Sequence, residues 1–271
     1  MAGDRVTPPK EEPLVITAPA HGRPVEPHGV KFRAAYALLA VVLGAAVGAF
    51  IVLIGRGGSD SGAAWSPWKP EGSSVLKTMK IASVVGSQYR LPSGNQLVAV
   101  IPRIPPGVTQ GTPVSHIAIA PTNQAEDITA FATDHSVEYV LCGIGPASGK
   151  CAISEGKASI VRSRLLFRES LELALYTFKY VDGVDSVVTL QPPKAGANPT
   201  YATFFQRSDF SEELDHPLTQ TLQGNSPFTT ARFPVAQQAR VSQLIAPNLF
   251  RFSYQQAPDL SAVLVLQPLA A

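Results

Sequence analysis

Ser74-Val75-Leu76-Lys77 sets a hydroxyl and an amine three residues apart, a spacing that puts both on one helix face. In serine acyl transfer, such a lysine takes the hydroxyl proton as the serine attacks a carbonyl carbon. Ser93-Gly94-Asn95 imitates the second triplet of that chemistry. Against it, Ser154-Glu155-Gly156-Lys157 repeats the spacing, no Lys-Thr-Gly triplet occurs, and the first two motifs lie closer together than a transpeptidase fold allows. The pattern reads as the solvated first turn of a helix. A serine-type envelope hydrolase or transpeptidase acting through Ser74 and Lys77 is the alternative.

Histidine chemistry finds little support. His116 and His135 fall on or near expected strands and His216 precedes Pro217. Asp134-His135 and Asp215-His216 are sequence neighbours, a spacing that does not aim the carboxylate at the adjoining ring. HExxH, GxSxG, P-loop and GxGxxG patterns are absent. Asp209, Glu212, Glu213 and Asp215 form the densest acidic cluster, but without an EF-hand pattern they suit a first helical turn better than a calcium site. The expectation is no catalytic, cofactor or metal residue and no cofactor.

The chain has two cysteines, Cys142 and Cys151. Residues 137–142 read as a strand, Cys151-Ala152-Ile153 as another, and the glycines and proline between them as a turn. A disulfide closing so short a loop stabilises a fold by about 2–3 kcal/mol and persists in oxidising compartments. Two cysteines make neither a zinc site nor a CxxC redox motif. Residues 57–271 carry 16 Lys or Arg against 16 Asp or Glu, which argues against a nucleic-acid partner.

These groups need elements to position them. Ser73 to Val85 shows helical spacing, and residues 89–91 and 97–101 flank a Pro-Ser-Gly-Asn turn. Val114 to Ala120 alternates, with Val114, His116, Ala118 and Ala120 on one face. The strongest helix is Lys157 to Val181, with Ile160, Phe167, Leu171, Ala174 and Phe178 on one stripe. Arg168, Glu172 and Lys179 occupy its remaining face, where Arg168 and Glu172 can pair at i,i+4. Asp182-Gly183 stops it. Strands follow at 184–190 and 201–206, short turns at 209–222, and a final hairpin of 249–254 with 262–266. The fold class expected is α+β, a mostly antiparallel sheet packed on the long helix at 157–181.

The chain's address comes from Ala34 to Gly55, 22 residues without a charge. As a helix they rise roughly 33 Å, enough to cross a bilayer. Arg23, Lys31 and Arg33 precede the span and Arg56 and Lys69 follow it, which puts the N-terminus in the cytoplasm. The expected organisation is a disordered, Pro-rich cytoplasmic tail (1–33), a single transmembrane helix (34–55), a linker (56–72) carrying Trp65 and Trp68, and an extracytoplasmic domain (73–271). Ala40, Gly44 and Gly48 recur every fourth residue, a spacing for close helix packing and a homodimer.

The function expected is non-catalytic binding or scaffolding at a bacterial-type cell envelope. Its partners would be membrane lipid around 34–55 and an envelope protein. The contact surface would be the aromatics Phe250, Phe252 and Tyr254 or an open sheet edge. A lipid- or small-molecule-binding module is the other alternative, and it requires a pocket beside the helix at 157–181.

Overall fold

The structure is a computed structural model that describes residues 64–104, 106–107, 112–121, 127–144 and 151–269. The tail, the span at 34–55 with Ala40, Gly44 and Gly48, and residues 56–63 of the linker lie outside the described residues. Among the described residues no helix is long and apolar enough to cross a membrane. The compact unit runs from Ala63 to Ala271.

That unit is α+β with a mixed eight-stranded sheet. In chain order the longer helices and the strands are α1 (Ser74–Gln88), β1 (Ala99–Arg103), β2 (Val114–Ile119), β3 (Thr129–Ala132), β4 (Ser136–Cys142), α2 (Ile160–Tyr180), β5 (Ser186–Leu190) and β6 (Tyr201–Gln206). Then come the short α3 (Ser211–Asp215) and α4 (Leu218–Thr221), α5 (Val235–Ile245), β7 (Leu249–Gln256) and β8 (Ala262–Pro268). The sheet order is β1-β4-β5-β6-β7-β8-β2-β3. The β4–β5 and β2–β8 pairings are parallel and the others antiparallel. α2 is the crossover that the parallel β4–β5 pair requires.

Period-two alternation sorts the central strands between two cores. Val137, Tyr139 and Leu141 of β4, Val187 of β5 and Phe205 of β6 face the helices, packing with Ile81 and Val85 of α1, Leu165 and Leu173 of α2 and Val241 of α5. Val140, Val188, Ala202 and Phe204 face the other way, into a core shared with Phe250, Leu264, Leu266, Val114 and Ile117. Phe131 of β3 meets Phe204 of β6 at 5.4 Å between ring centroids, although these strands are not neighbours. The sheet therefore curls over its second core. Val114 N–H donates to the Pro106 carbonyl at 3.1 Å, drawing the start of β2 toward the chain that follows β1.

Several expectations are corrected. A register shift between Val114 and His116 breaks the alternation of β2, so Val114 and Ile117 share one core while Ala118 and Ala120 face away. The turn at 91–95 forms, and the expected hairpin closes at its base through an antiparallel Arg90–Gln96 bridge and Leu97 N–H on the Tyr89 carbonyl, but it goes no further, because β1 pairs with β4. Of the three aromatics of β7, Phe250 is buried, Phe252 half-buried and Tyr254 exposed, and the strand lies inside the sheet between β6 and β8 rather than at an open edge. Trp65 is buried in the core of the unit, edge-on to Tyr176 and Tyr180 at 5.4 and 5.6 Å, with its indole N–H on the Glu213 carbonyl.

The largest correction concerns α2. Its ends match the sequence: the Ser159 side chain caps the Arg162 N–H, and Gly183 takes the left-handed φ of 73° just past the last turn. Arg168 and Glu172 pair at i,i+4 as expected, but inside the unit, while Lys179 on the same face is exposed. Arg168 is 1% exposed and Glu172 4%. Arg168 Nη1 donates to Glu172 Oε2 at 2.8 Å and to Tyr89 Oη, which in turn donates to the same carboxylate oxygen at 2.5 Å. The guanidinium stacks over Phe228, 3.6 Å from the ring centroid, and Nη2 donates to the Gln223 carbonyl. Ile160, placed on the apolar stripe, is 72% exposed instead.

Two predictions follow from these buried charges. Arg168→Met strands Glu172 without its cation and should cost roughly 3–5 kcal/mol in urea unfolding, whereas adding Glu172→Leu should restore most of it. Glu138, buried on the inner face of β4, accepts from Arg103 Nη1 at 3.0 Å and Gly107 N–H at 3.2 Å. Burial nevertheless pushes its carboxyl up from 4.5 to about 7, with Arg103 and Gly107 only partly opposing. The folded chain thus keeps a proton that the unfolded chain has lost. Stability is full below pH 4.5 and falls as pH rises toward 7, by up to roughly 3 kcal/mol. Glu138→Gln should flatten that slope when urea midpoints are compared at about pH 4 and about pH 8.

Candidate functional site

Ser74 sits exposed in the first turn of α1, where its carbonyl accepts from the Thr78 hydroxyl. The Lys77 ammonium lies 3.3 Å from Asp182 Oδ2, just past the end of α2. The amine is thus directed at a carboxylate, and the Ser74 side chain has no base in contact among the described residues. Asn95 binds Glu155 through Nδ2 at 3.0 Å, so this side chain is directed at Glu155.

Asp134 and His135 differ from the sequence expectation. The carboxylate does reach its neighbour's ring, with Asp134 Oδ2 3.6 Å from His135 Nε2. His135 Nδ1 sits 2.8 Å from the Gly183 carbonyl. Both ring nitrogens therefore face acceptors, which favours the imidazolium: the Gly183 carbonyl first, then Asp134, raise its pKa above the ordinary value. Ser136 and Ser186, hydroxyl to hydroxyl at 2.6 Å, share the same 930 Å³ cleft, but neither is bonded to the imidazole. Among the described residues no group of three or more His, Cys, Asp or Glu is placed to hold a metal, the acidic residues of α3 included.

Cys142 and Cys151 are joined by a disulfide. Cys142 ends β4 as expected, but Cys151 is not on a strand; its φ of 67° is left-handed. Gly143 makes the return of the chain possible. A Cβ there would stand 2.0 Å from the Ala152 carbonyl oxygen, and the Gly143 N–H donates to the Cys151 carbonyl at 2.9 Å.

A second cleft, of 580 Å³, opens beside the N-terminal half of α2. Leu166 and Phe167 of α2, Leu249 of β7 and Leu269 supply its apolar wall. Arg162 of α2 and Lys194, in the β5–β6 connection, supply cations, and no carboxylate lines it. Gln191, just past β5, also lines it and is 6% exposed. Its Nε2 donates to Ser170 Oγ at 2.8 Å, and Ser170 gives its own proton to the Leu166 carbonyl. The Thr189 carbonyl is the second acceptor at 3.4 Å. These acceptors fix the amide nitrogen, and Oε1 has no partner. Thr189 and Thr203, opposite one another across β5 and β6, add two further buried hydroxyls without partners.

Only the lipid- or small-molecule-binding alternative required a pocket beside this helix, an apolar one, and it named none of the lining residues. Gln191 reads as the end of an apolar strand, and only the neighbouring Pro192-Pro193 hints that the chain leaves the sheet there. For the other cleft the expected outcome is an NMR titration in which His135 holds its proton above the usual imidazole range. Asp134→Asn should bring that midpoint down, by less than loss of the Gly183 contact would.

Compared with known proteins, the chain matches no family model, and no curated protein or solved structure is detectably similar to it.

Proposed function

We propose that this chain is a single-pass membrane protein that works by non-catalytic binding or scaffolding in the cell envelope, with its N-terminus cytoplasmic and its C-terminal unit outside. The observation that carries the binding reading is the cleft beside α2. It combines an apolar wall, convergent polar groups and a volume of 580 Å³, within the usual range of ligand sites. The Lys77 ammonium, directed at Asp182, supports the same reading.

Location rests on the uncharged stretch at 34–55, the basic residues before it, and the Cys142–Cys151 disulfide, a bond that lasts in oxidising surroundings. Formal neutrality of residues 57–271 argues against nucleic acid as the partner. Ala40, Gly44 and Gly48 make a homodimer through the span part of the proposal.

The test uses intact cells and a membrane-impermeant maleimide. Cys142 and Cys151 should label only after reduction, and without lysis; labelling that requires lysis would overturn the outward placement. In parallel, a fluorophosphonate probe should leave the full chain unlabelled. Labelling lost in Ser74→Ala would replace the binding reading with a serine hydrolase.

A further inference from the structure

We propose that the cleft beside α2 is a binding site for an amphipathic organic anion. This deepens the binding reading and rests on it. Each part of the ligand answers to a feature of the walls.

The sign of the ligand follows from the charges. Arg162 and Lys194 line the cleft, no Asp or Glu does, and among the described residues neither cation is in an ion pair. Arg162 gives one guanidinium N–H to the Glu155 carbonyl at 3.0 Å, which leaves other donors of the fork for a carboxylate or phosphate. Partial burial already makes its charged form harder to keep, and an anion would relieve that. The first turn of α2 adds to the same sign. Ala158 and Ser163 line the cleft on either side of the cap at Ser159, and the amino end of a 21-residue helix carries partial positive charge.

The apolar body follows from Leu166, Phe167, Leu249 and Leu269. A carboxylate on a short alkyl chain satisfies both requirements. A free metabolite and an anionic lipid headgroup share this chemistry.

The experiment is calorimetric titration of octanoate into the full chain in phosphatidylcholine nanodiscs, with empty nanodiscs subtracted. Saturable binding is expected. Lys194→Glu and Arg162→Ala should each weaken it about tenfold or more. Lys194 is a surface residue, so its variant keeps the fold. Nanodiscs containing phosphatidylglycerol separate the sources: competition by the bilayer assigns a lipid headgroup, and its absence assigns a free molecule. Binding that is absent, or unchanged by Lys194→Glu, overturns the proposal. Equal binding of octyltrimethylammonium overturns the anion while leaving the broader binding reading standing. Failure of the maleimide test would instead remove the location and leave the cleft untouched.

Discussion

Burial of the Arg168–Glu172 pair of α2 is the constraint on which the helix-covered half of the unit depends. A helix lying across a sheet ordinarily keeps its charges in water, but α1, α5 and the chain around Phe228 cover α2 on its far side as well. Arg168 and Glu172 then have to satisfy each other, and they do so through Tyr89 at the end of α1 and the backbone of Gln223. Such a pair adds little net stability against well-packed apolar side chains, because desolvation offsets most of the Coulomb attraction. Its effect is positional: it sets the depth at which α1, α2 and the segment carrying Phe228 can meet. Glu169 beside it is held well above the usual carboxylate range, by burial first and by Glu172 second.

The same helix links the packed core to the cleft. Farther along α2, Thr177 gives its proton to the Leu173 carbonyl, so Tyr139 of β4 donates to Thr177 at 2.7 Å. Toward its amino end, Ser170 repeats that arrangement with Leu166 and accepts from Gln191. One side-chain-to-backbone device thus serves two purposes. At Thr177 it closes a polar contact inside the core; at Ser170 it anchors the Gln191 amide nitrogen behind the wall of the cleft.

Much of the fold was legible in the residues. Apolar spacing located α2 to within a few residues, Gly183 marked its end, and β6 was bounded as observed. The Cys142–Cys151 pairing followed from two cysteines separated by turn residues. α5 escaped notice because buried Gln237 and Gln238 interrupt its apolar stripe, and Gln238 finds its partner in the Phe233 carbonyl, a contact invisible in the sequence. β2 misled for a related reason: a bulge alters which residues share a face without changing residue type.

By itself the sequence determined what local rules control: helix and strand periodicity, the glycine that ends α2, the turn at 91–95, and the charge balance that disfavours nucleic acid. Tertiary structure decided what depends on distant segments: the two parallel pairings, the curl that brings Phe131 onto Phe204, the burial of Arg168 and Glu172, and the raised carboxyl of Glu138. The physical reason is range. Backbone preference and side-chain period act within a turn or two of chain, whereas solvent exclusion around a charge, and the walls of a cleft, exist only once remote residues have packed together.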